Sequence, residues 1–430
     1  MSNMKVLVIG GGGREHAIVW ALRRSSRVNE LVCAPGNAGI AQIATCVPVQ
    51  QSSLQDLLRV VAEQQPDLTV IGPELPLSLG LVDELRQRGL RVFGPTKDAA
   101  QLETSKAFAK EFMQRHQIPT AHYAVCDSFQ EATDALKLFH APLVVKADGL
   151  AAGKGVVICQ TKDEALAAAQ GIFDGMLLGV ADRKLVLEEF LEGEEVSFLV
   201  LCDGKHVAPL VPAQDHKRIG EGDTGPNTGG MGAYSTDDLL DPAMSDWLIA
   251  HVAQPVVDGM APEGAPFTGI LYCGLMMTAR GPMVLEFNTR FGDPETQAVL
   301  MRLDSDILDM LLAASPSPGE PGGVGGIEMR WKPGASACII AASAGYPGSY
   351  TPGRAITGLD AAAQVAGAVV FHSGTATADG ACVTAGGRVL GVTAAAPTLR
   401  QALSLAYQAL GKIHFEGMQY RRDIGHRALK

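Results

Sequence analysis

The chain has no CxxC pair, no apolar run long enough to cross a bilayer, no surplus of basic residues and no internal repeat, and each absence excludes a class. Its eight cysteines, at 33, 46, 126, 159, 202, 273, 338 and 382, never come closer than thirteen residues. That spacing removes the short zinc and redox motifs and leaves reduced core thiols as the expectation. No stretch reaches the roughly 18 apolar residues of a membrane span. The start, MSNMKVLVIG, has neither a basic n-region nor a cleavable apolar segment, so a soluble, cytoplasmic chain is expected. Lysine and arginine number 35 against 46 aspartates and glutamates, a net charge of −11. Such a balance suits no nucleic-acid backbone, though a local basic pocket for a small phosphate remains open.

What is present is ample material for folding. At 430 residues, a loose prior of ~150 residues per domain gives about three domains. Hydrophobic residues make up 47% and charged residues 19%, enough for real cores and too little charge for disorder. The 49 glycines and 24 prolines imply many tight turns.

Over residues 1–102, short apolar runs (5–9, 30–33, 68–71, 91–93) alternate with helical segments (15–24, 54–64, 81–88). This predicts an α/β block, an open parallel sheet with helices on both faces. The middle block, 103–314, opens with a helix over 103–115. Short strands follow near 143–146, 156–159 and 185–188, with a helix over 163–170 and antiparallel strands over 196–213 and 266–288. SPSPGEPGGVGG (315–326) reads as a linker. Residues 327–430 predict a small α+β domain with one helix over 398–411.

VLVIGGGGREH places Gly10, Gly11, Gly12 and Gly13 between a strand and a helix, where backbone N–H groups suit a phosphate. A nicotinamide site is excluded on two counts. G-x-G-x-x-G from Gly10 would need glycine where Glu15 stands, and the second strand, LVCAPGN, ends without the expected acid. The reading is a small phosphorylated ligand at the carboxyl end of the sheet. Asn37 and Glu74 follow the second and third strands and belong on the same rim.

Three features of the middle block carry nucleotide chemistry. PLVVKADGLAAGKGVVI (142–158) is a strand ending in Lys146, then a loop with Gly149, Gly153, Lys154 and Gly155, then another strand. It is not a Walker A motif, since GKG replaces GK[ST] and no helix follows. LVLEEFLEGEEVSFLV (185–200) sets Phe190 and Leu191 among Glu188, Glu189, Glu192, Glu194 and Glu195. That suits an adenine slot with a carboxylate for ribose hydroxyls. VLEFNTRFGDPETQ (284–297) puts Glu286 and Asn288 on one strand face, with Arg290, Asp293 and Glu295 just beyond. Such oxygen ligands suit Mg²⁺, which leaves room for phosphate oxygens.

The order of these features resembles the ATP-grasp superfamily. QDHKR (214–218), GPNTGGMGAY (225–234), RFGDPE (290–295) and RRDIGHRA (421–428), with GGGGREH and APGNAG, make the chain similar over nearly its whole length to the glycinamide ribonucleotide synthetase family. The resemblance implies a central ATP-grasp domain with a mobile lid over about 123–192. It implies a ligase joining glycine to 5-phosphoribosylamine through a glycyl phosphate, with ATP split to ADP and phosphate, in purine synthesis. It further implies that Lys106 and Lys146 contact the ATP phosphates while loop 148–155 closes over them. Glu188 falls in the adenine segment. Glu189 and Leu191 would offer backbone bonds to adenine, Phe190 would pack beside it, and Glu195 would hold the ribose. Glu286 and Asn288 would carry Mg²⁺ or Mn²⁺. Arg290 would steady the acyl phosphate, Asp293 would orient an amine, and Asp215 and Lys217 would be active-site residues.

The glycines at 10–13, Asn37 and Glu74 would face phosphoribosylamine. That loop supplies no full charge, so Arg421 or Arg422 is expected to reach across to the sugar phosphate, as guanidinium groups bind such oxygens bidentately. One departure from the superfamily stands out: FTGILYCGLM (267–276) has no further metal carboxylate. His216 has no second nearby histidine and reads as a packing or hydrogen-bonding residue. The expected partners are small molecules only, bound by a monomer. The competing readings are a carboxylase of the same superfamily, which would activate bicarbonate, and a nucleotide-binding regulator, against which the complete Lys, Glu-x-Asn and Arg set argues.

Overall fold

The computed structural model describes residues 3–149, 155–176, 184–317 and 320–429. Strands β1 (Met4–Gly10), β2 (Val28–Pro35), β3 (Thr45–Cys46), β4 (Leu68–Ile71) and β5 (Val92–Phe93) form a parallel sheet in the order β3-β2-β1-β4-β5. The continuous apolar character of β1 follows from burial on both faces. Val6 and Val8 pack toward the helix Gly13–Arg23, while Leu7 and Ile9 pack toward the helices Leu54–Gln64 and Leu81–Gln87. The order reverses at β1, so the crevice beyond the carboxyl ends of β1 and β4 is the natural ligand position of such a sheet.

The helix expected over 103–115 is two helices, Gln101–Thr104 and Lys106–Arg115. Ser105 takes an extended conformation and its Oγ accepts from the Phe108 amide at 3.1 Å, capping the second helix. Helical periodicity runs through the break, which hides it. The break makes Lys106 the first helical residue.

Strands β6 (Tyr123–Cys126), β7 (Leu143–Ala147), β8 (Val156–Cys159) and β9 (Leu185–Glu189) form a small antiparallel sheet, order β6-β9-β7-β8, with helices Phe129–Ala135 and Lys162–Phe173 packed on it. Next come β10 (Glu194–Asp203), β11 (Val207–Pro209), β12 (Gln214–Asp215), the hairpin β13 (Arg218–Gly220) with β14 (Thr224–Asn227), and β15 (Gly232–Thr236). β16 (Thr268–Thr278) and β17 (Gly281–Asn288) complete an antiparallel sheet, order β11-β10-β16-β17, as the sequence predicts for these stretches.

The last block contributes β18 (Ala335–Ala342), β19 (Ala368–His372), the hairpin β20 (Thr375–Ala378) with β21 (Ala381–Thr384), and β22 (Arg388–Ala396). Its sheet, β12-β15-β18-β22-β19, is shared with the middle block. The helix Leu399–Leu410 covers one face. On the other lies Glu295–Arg302, all eight residues buried, which also packs on Gly13–Arg23. This one helix therefore touches all three blocks. The segment read as a linker is docked where it is described. The Val324 amide donates to Asp203 Oδ2 at 2.9 Å, and Ser315 is buried.

Candidate active site

A cleft of about 780 Å³ opens where the blocks meet. Its floor is β17, whose pairing with β16 slips: Gly274 faces Glu286 but Leu275 faces Val284, leaving Leu285 as an extra residue. The bulge frees the Leu285 carbonyl, which accepts from Lys146 Nζ at 3.2 Å. It also presents Glu286, with Asn288 two residues on, to the cleft. Burial would raise the Glu286 pKa, but Lys217, Lys146, Lys106 and Arg290 hold the carboxyl below its usual range.

A cationic wall faces this floor. Lys106 Nζ donates to the Gly149 carbonyl at 3.0 Å. Glu188 is buried between two lysines, with Lys110 Nζ and Lys146 Nζ each 2.8 Å from one of its oxygens. It is a counter-ion to both lysines. Burial lowers the Lys110 pKa to about 8 against the pull of Glu188. Lys110 was not singled out from the sequence, although it lies one helical turn beyond Lys106, a signal that could have found it.

At the centre, Lys217 Nζ lies 2.7 Å from Glu195 Oε2 and 3.8 Å from Glu286 Oε1. Ser197 and Tyr272 donate to Glu295 Oε1 at 3.1 and 2.8 Å. Burial pushes the Asp215 carboxyl up to about 8. Lys217 opposes that rise, and Glu295, Glu195 and Glu286 add to it. Three carboxyl groups around Lys217, those of Glu195, Asp215 and Glu286, with Glu295 beside Asp215, favour an incoming ammonium or divalent cation.

At the far end, Arg290 pairs with Glu103 at 2.9 Å and Glu74 at 3.6 Å, and donates to Asn288 Oδ1 at 3.1 Å. Burial would lower its pKa, but Glu103 and Glu74 hold it above the ordinary value. Asp293 accepts from Gln297 Nε2 at 2.8 Å and from the Arg14 amide at 3.4 Å, and Arg388 stands 3.4 Å away. Arg388 also donates to the Asp293 carbonyl at 2.7 Å and to the Gly229 carbonyl. The Gly229 amide donates to the Tyr346 hydroxyl at 3.0 Å.

The cleft thus gathers Lys106, Lys146, Gly155, Glu188, Asp215, Lys217, Glu286, Asn288, Arg290, Asp293 and Glu74 from the expected set. Gly153 and Lys154 lie outside the described residues, and Gly149, half-buried, accepts from Lys106 through its carbonyl. The other expected residues do not line the cleft. The Glu189 carboxylate turns to Arg280 at 2.7 Å and the His122 amide at 3.0 Å. Leu191 packs with Ala121 and Met276, Phe190 is half-buried beside it, and Glu195 acts on the cleft through its pairing with Lys217 and its charge on Asp215.

The glycine loop is shaped by its own neighbours. A Cβ on Gly10 would lie 2.5 Å from Glu15, one on Gly11 would meet the Gly36 carbonyl, and one on Gly13 would meet Gln297. The Gly12 amide donates to Glu15 Oε2 at 2.6 Å. Asn37 is fully committed: it donates to the carbonyls of Gly11 and His372 and accepts from the amides of Gly39 and Ile40. Arg421 and Arg422 are corrected in the same way. Arg421 is buried against Asp223 and Asp423, and Arg422 lies over Tyr420 on the surface. The cleft cations missed from the sequence are Lys110, Arg14 and Arg388, and the acids Glu103 and Glu295 were left unassigned. Nothing around Arg388 in GGRVL marks it; only the shared sheet brings it here.

Three family models match the chain: the phosphoribosylglycinamide synthetase N domain over residues 4–103, its ATP-grasp (A) domain over 104–296 and its C domain over 336–427. A phosphoribosylamine–glycine ligase from Xanthomonas axonopodis pv. citri is 49% identical over 430 residues, covering 99% of this chain and 98% of the relative. The crystal structure of a phosphoribosylamine–glycine ligase from Thermotoga maritima superposes with a TM-score of 0.83 at 34% identity, covering 98% of this chain and all of that one. The biotin carboxylase domain of a 2-oxoglutarate carboxylase from Hydrogenobacter thermophilus, solved with MgADP, shares the fold at a TM-score of 0.72 and 17% identity, over 98% of this chain and 92% of that one.

Proposed function

Because the chain belongs to the phosphoribosylglycinamide synthetase family, it is an ATP-dependent ligase that joins glycine to 5-phosphoribosylamine, and we propose how its cleft divides the work. The reaction has two steps. The glycine carboxylate takes the γ-phosphoryl group of ATP, giving glycyl phosphate and ADP. The sugar amine then attacks that carbonyl, loses a proton, and phosphate leaves.

Lys106 and Lys146 bind the nucleotide phosphates, with Glu188, shared with Lys110, fixing Lys146. Glu286 and Asn288 hold Mg²⁺ or Mn²⁺. The fit rests on two oxygen donors on a strand face open to the cleft, beside lysines that would meet the phosphates. Among the described residues no cluster of three or more His, Cys, Asp or Glu could hold a metal, so the remaining ligands would be phosphate oxygens and water. When bound, the ion neutralises charge on the phosphates.

Arg290, anchored by Glu103 and Glu74, steadies the acyl phosphate. The acids around Lys217 receive the ammonium of glycine, and Asp215, ionised once that second cation joins Lys217 beside it, is placed to take a proton from the attacking amine. Asp293 orients that amine, and Arg388, in place of Arg421 or Arg422, supplies the cation for the sugar phosphate. On this reading the chain works as a cytoplasmic monomer on small molecules. Its net charge of −11 supports the absence of a nucleic-acid partner, and no helix among the described residues is long and apolar enough to cross a membrane.

The observation carrying this reading is the convergence of Lys146, Lys217, Glu286, Asn288, Arg290 and Asp293 on one cleft. The test is ADP release with glycine and phosphoribosylamine, each omitted in turn. Release should require both and ignore bicarbonate; release driven by bicarbonate would overturn it.

A further inference from the structure

Asp215 and Lys217 face the cleft, and His216 between them faces away, fully buried. Alternation along an extended run requires this. On that hidden side His216 meets the end of the chain. The Gly425 amide donates to His216 Nε2 at 3.3 Å. Arg421, 1% exposed, donates through one terminal nitrogen to the Arg218 carbonyl at 3.1 Å and to Asp223 Oδ1 at 2.8 Å. Its other nitrogens donate to the two oxygens of Asp423 at 2.8 and 2.7 Å. Asp423 also accepts from the Gly222 amide at 2.8 Å, and Arg427 donates to Asp223 Oδ2 at 2.7 Å.

The turn so clasped is conformationally costly. Gly222 and Asp223 both lie in the left-handed region, at φ 66° and 56°, and a non-glycine residue there needs support from its surroundings. The two arginines on Asp223 provide it. The clasp is itself anchored, because the Tyr407 hydroxyl donates to the Arg421 carbonyl at 2.9 Å and accepts from the Ile424 amide at 3.3 Å. Tyr407 belongs to the helix Leu399–Leu410.

We propose that Arg421 is a positioning residue: through the 216–223 segment it sets where Lys217 and Asp215 stand against Glu195 and Glu286. The inference rests on Lys217 acting in the ligase reaction. It gives the terminal segment a part in turnover without substrate contact. An arginine that received substrate would keep donors open to the cleft, whereas Arg421 directs four hydrogen bonds to protein oxygens and lines no part of it.

The test is steady-state kinetics on Arg421→Lys, Asp223→Asn, the partial lesion Lys217→Arg and the two doubles carrying Lys217→Arg, with Arg422→Ala as a surface control. Arg421→Lys and Asp223→Asn should each lower kcat about tenfold with little change in KM for the phosphoribosyl substrate. In the Lys217→Arg background their effects should shrink, since residues acting as one unit are not additive. Arg422→Ala should match wild type. Additive losses, a rise in sugar-substrate KM at unchanged kcat, or no effect of either clasp variant would overturn the proposal. Undiminished kcat in Lys217→Arg and in Lys217→Met would remove the underlying reading, and the proposal with it. If Arg421→Lys does not fold, Asp223→Asn, on the more exposed edge of the clasp, decides alone.

Discussion

Lys146 meets Glu188 at 2.8 Å in the wall of the cleft, and the same carboxylate holds Lys110 at the same distance on its other oxygen. One buried acid thus balances two ammonium groups. Burial would raise the Glu188 pKa, but the two lysines hold it below the ordinary value. Removing that charge leaves both cations uncompensated, which for buried pairs costs about 3–5 kcal/mol. Glu188→Gln should therefore unfold at distinctly lower urea concentration and raise KM for ATP. Unchanged urea midpoint and unchanged KM would show that the triad is dispensable.

Glu286→Gln keeps the side-chain shape and removes the charge that a divalent cation needs. We expect at least a hundredfold loss of kcat/KM, about 2.7 kcal/mol of transition-state stabilisation, with folding preserved. Wild-type turnover at saturating Mg²⁺ would show that the assignment is wrong.

Asp215 has the opposite consequence for stability. Its carboxyl is pushed from 3.8 to about 8, first by burial and then by Glu295, Glu195 and Glu286, against Lys217. In the empty cleft the folded chain keeps a proton that the unfolded chain has lost throughout that window. Stability from this group therefore falls as pH rises from 3.8 to 8, by at most about 1.4 kcal/mol per unit. Asp215→Asn should be more thermostable than wild type, increasingly so toward pH 8, while turnover drops. A pH-independent difference in melting temperature would contradict this.

Legibility followed locality. The parallel sheet could be read from β1 and β4, whose unbroken apolar runs follow from burial on both faces, and Glu286 and Asn288 could be read from strand alternation. The break at Ser105 was hidden because capping depends on a side-chain conformation, not on periodicity. Glu15 was legible as a fault in a dinucleotide motif, but its packing beneath Gly10 and Gly12 was not. Arg388 and Arg421 show the limit most plainly. Both lie in short C-terminal motifs, GGRVL and RRDIGHRA, and residue type says nothing about which way a guanidinium points. Only the sheet that joins β12 and β15 to β18 and β22 turns one into the cleft, while the 421–427 clasp turns the other away.

The contact between the first and last blocks contains a pair of buried histidines. The His372 amide donates to His16 Nδ1 at 2.8 Å, and the rings are 5.6 Å apart. Burial lowers the His16 pKa to about 3, aided by His372, and burial alone lowers that of His372 to about 4. Between these values and 6.5 the unfolded chain holds protons that the folded chain excludes. Stability is therefore complete above pH 6.5 and is lost as pH falls, by up to about 1.4 kcal/mol per unit for each ring. His16→Gln, which keeps an acceptor for the His372 amide, should flatten the acid limb of urea stability by about one proton. An unaltered slope between pH 4 and 6 would refute the assignment.

Arg388 is the cation best placed for a sugar phosphate. The substrate should enter beyond the carboxyl ends of β1 and β4, where Arg14, Glu74, Asp293 and Arg388 line one end of the cleft. Lys110 and Lys146 are committed to Glu188, Lys217 to Glu195, and Arg290 to Glu103. The Arg14 guanidinium is bound to Glu15 and to the Phe291 carbonyl. Arg388 donates mainly to carbonyl oxygens, and its nearest carboxylate, Asp293, is 3.4 Å away. Its side chain remains one-fifth exposed, at 20%. A dianionic phosphate is a stronger acceptor than either carbonyl, so the guanidinium can exchange a neutral partner for a charged one. Lysine would keep the charge but lose the planar fork. Arg388→Met should raise KM for the phosphoribosyl substrate about tenfold or more, while Arg388→Lys should recover part of that loss. KM for ATP should stay within about twofold, since the nucleotide cations lie on the opposite wall. If the KM values for ATP and sugar rise together, Arg388 supports the cleft as a whole and the phosphate must find its charge elsewhere.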